Sequence, residues 1–315
     1  MIYYLPNIIK KGMSYLNKLE WCRANAPDAI KDVPDDELLE YMEDIWKKYA
    51  PKEATQECVV NDLNPINKNM DYMVTTLVNT FGDKLAFKGG YMLTKLMPEF
   101  ARQTQDIDFS IQTSELYQSL INTMIAIGNK FVKDGTISSF NIKQTIEPHC
   151  SGGMDMYSSD GEKILGIDIG WHDITFGTTT THIDVGDVNA FEIERMLADK
   201  ISAILSRKRF RRPKDIYDLY CITNCFDFSV IKVNTYLKMR EIECGVDWDN
   251  FPFNDKILVE YNKAYQALRL DSIVRNRQLD KPLFNDVMTR FINIVKGLRR
   301  DSDYVTWSSE KERFV

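Results

Sequence analysis

Two aspartates separated by one residue, Asp106 and Asp108, are the side chains of this sequence best suited to chemistry. They lie in the run Asp-Ile-Asp-Phe-Ser-Ile, which has the composition of a short β-strand. Because successive side chains of a strand point to opposite faces, the two carboxylates share a face. Mg²⁺ binds to one or two carboxylates and to substrate phosphates, so this spacing predicts a magnesium site. The alternative is an exposed strand face with two solvated acids.

A glycine pair, Gly89 and Gly90, follows Lys88 upstream of the two aspartates. It separates a strand predicted over 85–88 from a helix predicted over 90–97. Backbone N–H groups at the N-terminus of a helix bind phosphate readily, so this turn is a candidate phosphate site. An ordinary strand-to-helix turn would use the same residues. Combined with the aspartates, the turn indicates metal-assisted nucleotidyl transfer.

A third acid, Asp168, interrupts an apolar strand pattern in Gly-Ile-Asp-Ile-Gly. Burying a carboxylate is costly unless it is paired or bound to a cation. If this strand lies beside the strand predicted over 106–111, Asp168 faces the same metal ions as a third ligand. An acid on an edge strand that points to water is the alternative.

A helix predicted over 190–208 carries Lys200, and six of the eight residues in 207–214 are basic. We expect Lys200 to contact phosphate and the basic block to bind nucleotide phosphates or an RNA backbone, although such charge runs are often solvated. Asp215 and Asp218 begin the next helix, where acids are favourable against the helix dipole. They alternatively hold the basic side chains or the nucleotide. The candidate acceptor-binding residues are Arg207, Arg209, Arg211 and Arg212.

The composition is that of an ordinary folded protein, with 44% hydrophobic and 27% charged residues in a chain of 315. The net charge of −6 means that any nucleic-acid binding needs a local basic patch. Six cysteines without a Cys-x-x-Cys spacing favour reduced thiols over a zinc site. Because we find neither a signal peptide nor an apolar stretch of about eighteen residues, we expect a cytoplasmic protein that does not bind membranes.

The pattern of helices and strands predicts an α+β protein in three parts. They are a helical N-terminal extension over 1–82, a core over 83–189, and a helical C-terminal domain over 190–315. Within 138–188 the pattern predicts several strands, the last of them over 181–188. The remaining helices are predicted over 7–50 (two helices), 67–81, 114–133, 213–225, 229–241, 256–268 and 282–298.

With these motifs in order, residues 85–225 resemble the AbiEii/AbiGii nucleotidyltransferase family, the toxin components of bacterial abortive-infection (type IV toxin–antitoxin) systems. The family pattern falls on Lys88, Gly89, Gly90, Arg102, Thr104, Asp106, Asp108, Asp168, Glu194, Lys200, Arg209, Asp215 and Asp218. Two positions depart from it. Tyr91 stands where the family has Ser or Thr, and Gly166 stands where a lysine is often found.

The resemblance implies a DNA polymerase β-like fold, in which a small mixed sheet packs against helices. It implies a nucleotidyltransferase that uses an NTP and two Mg²⁺ ions, an acceptor that is tRNA or protein, a defence role and a cognate antitoxin. The implied catalytic residues are Asp106, Asp108, Asp168 and Lys200, of which the three aspartates bind metal. The implied nucleotide-binding residues are Lys88, Gly89, Gly90, Arg102, Thr104, Asp215 and Asp218. The alternative, favoured by Tyr91, is a weakly active or inactive member that binds nucleotide or RNA, or acts as an interaction module.

Overall fold

The computed structural model describes residues 65–112, 114–143, 152–171, 174–205, 212–244, 251, 253–268, 270, 281–299 and 306–315. The chain divides into two compact units, Met1–Asn61 and Asp62–Val315, and every described residue belongs to the second. The two helices predicted over 7–50 lie outside the described residues. The three-part domain division therefore stays a prediction.

Eight helices occur in the described residues. They are α1 (Pro65–Phe81), α2 (Gly89–Leu96), α3 (Tyr117–Lys133), α4 (Ile193–Leu205), α5 (Pro213–Cys225), α6 (Val230–Cys244), α7 (Asp255–Ala267) and α8 (Phe284–Arg299). The helices predicted in this part of the chain all occur, with bounds that differ by up to three residues. Ser114–Leu116 form a 3₁₀ turn before α3 begins. The helix predicted over 190–208 begins at Ile193, because residues 190 and 191 belong to a strand. Among the described residues, none of the helices is both long and apolar enough to cross a membrane.

Seven strands form one mixed sheet in the order β3-β4-β5-β2-β1-β7-β6. They are β1 (Leu85–Lys88), β2 (Asp106–Ile111), β3 (Ser139–Lys143), β4 (Gly152–Tyr157), β5 (Lys163–Trp171), β6 (Thr178–Ile183) and β7 (Gly186–Phe191). The pairs β2–β5 and β1–β7 are parallel, and the other neighbours are antiparallel. The predicted α+β architecture with a mixed sheet and packed helices is confirmed.

The single strand predicted over 181–188 is wrong, because two strands and a tight turn occupy this region. β6 and β7 pair antiparallel, and Ile183 lies opposite Gly186. Gly186 has a φ of 111°, which a residue with a side chain rarely adopts. The glycine therefore permits the chain reversal that splits the predicted strand in two.

A second sheet of three very short strands, absent from the prediction, lies in the C-terminal part. Its strands are β8 (Phe228–Ser229), β9 (Thr306–Ser308) and β10 (Arg313–Phe314), in the order β10-β9-β8. Trp307 of β9 is buried, stacks on Phe228 with ring centroids 5.9 Å apart, and donates its indole N–H to the carbonyl of Thr223 at 2.9 Å. These interactions fix the end of the chain against α5. Strands of two or three residues are too short to show an alternating pattern.

The central strand β2 separates the hydrophobic core from a polar surface. Ile107, Phe109 and Ile111 are fully buried on one face and belong to the same core cluster as the apolar side chains of α1 and α3. Asp106 and Asp108 alternate with them and lie on the opposite face. The hydrophobic alternation of β2 therefore determines which way the two carboxylates point.

Candidate active site

Asp106, Asp108 and Asp168 lie on the same face of the large sheet. β2 and β5 are parallel neighbours, and their register places Asp108 directly beside Asp168. Asp106 is two residues from Asp108 on β2 and so shares its face. β5 lies between β4 and β2, so Asp168 is on an interior strand. The strand adjacency on which the role of Asp168 depended is present, and metal binding stays a prediction.

The three aspartates line a cleft of about 250 Å³ between the sheet and helices α4, α5 and α6. Other predicted residues that line it are Lys88, Gly89, Gly90, Arg102, Thr104, Lys200, Arg212 and Asp215, together with Lys214 of the basic block. The remaining lining residues, which the sequence did not single out for the site, are Met196, Asp199, Ala203 and Arg240. Asp218 does not line the cleft. Arg207, Arg209 and Arg211 lie outside the described residues.

The glycine pair is required by two close approaches to the backbone. Gly89 has a φ of 69°, and a Cβ there would lie 2.2 Å from Asp108 Oδ2. A Cβ at Gly90 would lie 2.9 Å from Thr104 Oγ1. The same Thr104 hydroxyl accepts a hydrogen bond from the Asp106 N–H at 3.4 Å. The two glycines therefore allow the start of α2 to pack directly on the side chains of Asp108 and Thr104.

Tyr91, the departure from the family pattern, does not line the cleft. Its ring is buried in the core, and its hydroxyl donates a hydrogen bond to Asp71 Oδ1 of α1 at 2.8 Å. Burial and the neighbouring Asp71 raise the pKa of Tyr91 above its usual value, so the phenol stays protonated. The residue that favoured an inactive family member is thus a packing residue.

Lys200 belongs to a buried network of ion pairs at the cleft wall. Its ammonium lies 2.8 Å from Asp215 Oδ1 and 2.7 Å from Asp218 Oδ2. Arg102 holds both oxygens of Asp218, with Nε 3.0 Å from Oδ1 and Nη2 3.0 Å from Oδ2. Burial opposes ionisation of Asp218, but the charges of Arg102 and Lys200 outweigh it and hold its pKa below the usual range. Asp218 therefore takes one of its two predicted roles, that of holding basic side chains.

The second oxygen of Asp215 is free to bind a ligand. Asp215 Oδ2 is buried and has no hydrogen-bond partner among the described residues. Arg212 Nη1 lies 3.8 Å from this oxygen. Because Asp215 lines the cleft, this oxygen is an available acceptor for a hydroxyl or amine.

The folded protein disfavours the ionised form of Asp108. Burial raises its pKa to about 6, because nearby Lys88 and Lys200 only partly offset the loss of water. The neighbouring charges of Asp168 and Asp106 further oppose its ionisation. Lys88 lies opposite Asp108 on β1, and burial lowers the pKa of its ammonium. The positive charges near Asp108 therefore do not offset the cost of burying its carboxylate.

A cluster of Lys143, Asp155 and Lys163, which we call the lysine–aspartate cluster, was missed at the level of sequence. Lys163 Nζ lies 2.7 Å from both Asp106 Oδ1 and Asp155 Oδ1. Lys143 Nζ lies 2.8 Å from Asp168 Oδ1 and 3.1 Å from Asp155 Oδ1. The alternation of Met154 and Met156 with Asp155 places this acid on the polar face, but only the pairing of β3, β4 and β5 brings the lysines to it.

The cluster also accounts for the second departure from the family pattern, Gly166. A Cβ at this position would lie 2.3 Å from Asp106 Oδ1 and 2.9 Å from Lys163 Nζ. The space above Gly166 is therefore filled by the ion pair between Lys163 and Asp106. A lysine ammonium reaches the carboxylates from position 163 instead of from 166.

The three aspartates fit Mg²⁺ in ligand type and lie on one face of the sheet. Within the described ranges, no group of three or more His, Cys, Asp or Glu side chains is arranged to hold a metal ion. However, carboxylate oxygens are the ligands that Mg²⁺ prefers, and all three lie on one face. Asp106 and Asp168 each contact a lysine ammonium, which shows that a cation is accommodated beside them.

The chain matches one protein family and is similar to several solved structures. A family model described as nucleotidyl transferase AbiEii toxin, type IV TA system, matches residues 72–292. The chain is similar in structure to MenT4, a nucleotidyltransferase toxin from Mycobacterium tuberculosis H37Rv, with 15% identity, a TM-score of 0.46, and 78% of this chain and 86% of that chain covered. It is also similar to a protein from H. pylori described as a nucleotidyltransferase, with 15% identity, a TM-score of 0.44, and 75% and 93% covered. A search of curated proteins finds no match.

Proposed function

Because the chain belongs to the AbiEii family of nucleotidyltransferase toxins, we propose that it transfers a nucleoside monophosphate from an NTP to an RNA, such as tRNA, or to a protein. The chain is a nucleotidyltransferase, and a type IV toxin–antitoxin family implies an NTP substrate and an antitoxin. The observation that carries the proposal is the register of β2 and β5. It places Asp108 beside Asp168, with Asp106 on the same face and the glycine turn against Asp108.

We further propose that Asp106, Asp108 and Asp168 hold two Mg²⁺ ions. When bound, Mg²⁺ supplies positive charge to the phosphates and lowers the pKa of the attacking hydroxyl. Asp108 must be ionised to take part, and its raised pKa means that it binds protons in competition with a cation. The N–H groups at the start of α2, near Gly89 and Gly90, would bind the triphosphate.

The basic side chains of the cleft would bind the phosphates and the acceptor. Arg102 and Lys200 line the cleft but are already paired with acids, so they supply fixed positive charge near the leaving pyrophosphate. Asp215 Oδ2 would accept a hydrogen bond from the nucleotide. Arg212 and Lys214 line the cleft, and we propose that they bind the acceptor together with Arg207, Arg209 and Arg211 of the same basic block.

We propose that the reaction takes place in the cytoplasm, where NTPs and acceptors occur, and that it arrests growth in abortive infection. The direct test is transfer of label from each α-³²P NTP, with MgCl₂, to bacterial RNA and protein. We expect acid-precipitable label that ribonuclease removes if RNA is the acceptor, or that protease removes if protein is. Asp108→Asn should reduce labelling by more than about 100-fold, because one ligand of the metal is removed.

Asp160→Asn provides the matched control, since Asp160 lies in the exposed turn between β4 and β5, away from the cleft lining. This variant should label as well as the wild type. Equal labelling by the wild type and Asp108→Asn would contradict the proposal. NTP binding without transfer by the wild type would instead identify a nucleotide-binding module.

A further inference from the structure

We propose that Asp155 is a positioning residue that anchors Lys143 and Lys163 as resident counter-ions of the metal-binding carboxylates, from which an arriving Mg²⁺ displaces them. The inference rests on the proposed function, because it assumes that Asp106 and Asp168 bind metal. It assigns the lysine–aspartate cluster a role in metal loading that the cleft residues alone do not supply.

The ion pairs of Asp155 carry the inference. Its Oδ1 atom lies 2.7 Å from Lys163 Nζ and 3.1 Å from Lys143 Nζ, so one oxygen pairs with both ammonium groups. Each lysine then reaches a different carboxylate, Lys163 to Asp106 and Lys143 to Asp168. Asp155 thus connects the two lysines without lining the cleft itself.

Two glycines in the sheet make these long reaches possible. Gly166 lies between Asp155 and Asp106 in one row across β4, β5 and β2. Gly153 lies between Lys143 and Asp168 in the adjacent row. A Cβ at Gly166 would lie 2.9 Å from Lys163 Nζ, and one at Gly153 would lie 3.3 Å from Asp168 Oδ1, so a side chain at either position would crowd these ion pairs.

The energetics favour displacement once a divalent cation arrives. Lys143 and Lys163 are about one-third exposed, at 36% and 34%, and partly exposed ion pairs are weak because water screens them. A divalent cation attracts a carboxylate more strongly than a single ammonium does at the same distance. After displacement, both lysines retain Asp155 as a partner, so neither ammonium is left without a counter-charge. Asp155 therefore lowers the cost of displacing the two lysines.

Titration of the intact protein with Mn²⁺, without nucleotide, tests this exchange. Lys143→Met with Lys163→Met removes the competing ammonium groups, so Mn²⁺ should bind about fivefold more tightly. Asp155→Asn removes the alternative partner, so the lysines should pair more strongly with Asp106 and Asp168 and weaken Mn²⁺ binding about threefold. In the double-methionine background, Asp155→Asn should have no effect, because nothing remains for Asp155 to anchor.

The controls separate these effects from general charge effects. Lys130→Met with Lys133→Met removes two positive charges from exposed residues of α3 and so matches the variant at Lys143 and Lys163. Asp160→Asn removes one negative charge from the β4–β5 turn and so matches Asp155→Asn. Neither control should change Mn²⁺ affinity. The melting temperature of each variant reports whether it is folded. If Asp155→Asn does not fold, the methionine variants alone still decide the outcome.

The outcomes distinguish this inference from the proposed function. If the wild type binds Mn²⁺ and Asp108→Asn does not, but removing the two lysines leaves affinity unchanged or weakens it, the exchange is wrong and the metal site stands. An effect of Asp155→Asn that persists in the double-methionine background also overturns it. If the wild type binds no Mn²⁺, the metal site fails, and the inference fails with it.

Discussion

The folded protein favours the protonated form of Asp108, but the side chain is still ionised at neutral pH. Its pKa rises from 3.8 to about 6, mainly because it is buried. Between these values the folded state binds more protons than the unfolded state, so stability falls as the pH rises towards 6. Above pH 6 the full penalty applies. Ionised Asp108 therefore destabilises the folded protein when no cation is bound beside it.

Asp108→Asn should consequently stabilise the metal-free protein at pH 7.5. A shift from 3.8 to about 6 corresponds to about 3 kcal/mol, and hence to a rise of about 6 °C in Tm. The gain should shrink below pH 6 and vanish near pH 4, where the wild-type carboxyl is protonated. Thermal melting in EDTA at several pH values measures it. The exposed Asp160→Asn should give no such gain, and a pH-independent difference would contradict the explanation.

Lys200 is a second residue whose role is better defined by its partners than by its position in the cleft. Lys200→Met removes the cation shared by Asp215 and Asp218 and leaves buried carboxylates facing each other. We expect a decrease of about 3 kcal/mol in the free energy of unfolding, measured by urea denaturation. Adding Asp215→Asn should recover part of that decrease. Lys232→Met, which breaks a half-exposed pair with Glu192, should cost less than about 1 kcal/mol.

The residues found from the sequence and those missed differ in a physical way. Asp106 and Asp108 follow from strand periodicity within a single segment. Asp155 carries the same signal, an acid between two apolar residues of a strand, but its importance depends on two lysines from different strands. Such pairings are set by register, which a single sequence does not contain. Lys200 was found from the sequence, but the sequence did not show that its ammonium pairs with Asp215 and Asp218, with which any phosphate would have to share it.

At the scale of elements, the turn from β1 to α2 is the local structure on which the site most depends. Its glycine combines a left-handed backbone with a close carboxylate: φ is 69° at Gly89, and the Asp108 side chain occupies the Cβ position. Sequence alone supports either a phosphate-binding turn or a plain one. The structure adds that a side chain at this glycine would collide with the aspartate itself.

Gly89→Ala should therefore cost about 3 kcal/mol in the free energy of unfolding. About 1 kcal/mol comes from the left-handed backbone, and the rest comes from overlap with Asp108. Gly135 is the matched control, because its φ is 72° and nothing lies within 4 Å of its Cβ position. Gly135→Ala should show the backbone cost alone. If the difference between the two variants persists fully in an Asp108→Ala background, the close approach is not its cause.

The accuracy of the predicted elements follows the strength of each local signal. Helix α5 is predicted at its observed bounds, because Pro213 marks its start. The β6–β7 hairpin was missed because four consecutive threonines show no alternation between apolar and polar residues, and its turn depends on Gly186. The strands of the small C-terminal sheet are held by long-range packing around Trp307, so local patterns do not predict them.

At the scale of the whole molecule, the fold gathers positive charge where an acidic protein needs it. The chain has a net charge of −6, yet Lys88, Arg102, Lys200, Arg212, Lys214 and Arg240 all line one cleft. Family membership and composition predict the fold class and the presence of a basic segment. They do not predict that α6 contributes Arg240, because α6 reaches the cleft through packing between helices far apart in sequence.

Two cations at the start of α5 provide the last prediction, which concerns the acceptor. Arg212 and Lys214 line the cleft, and Arg212 is 48% exposed, so it can bind a large substrate. The double variant Arg212→Gln with Lys214→Gln should weaken RNA binding. It should also reduce the slope of log affinity against log salt by about two, because each of the two substitutions leaves one phosphate without its cation. Fluorescence anisotropy with tRNA at several salt concentrations measures this slope.

Lys130→Gln with Lys133→Gln, which removes the same charge from exposed sites on α3, should leave the slope unchanged. An equal reduction in both pairs would mean that RNA senses only net charge, and no reduction in either would favour a protein acceptor.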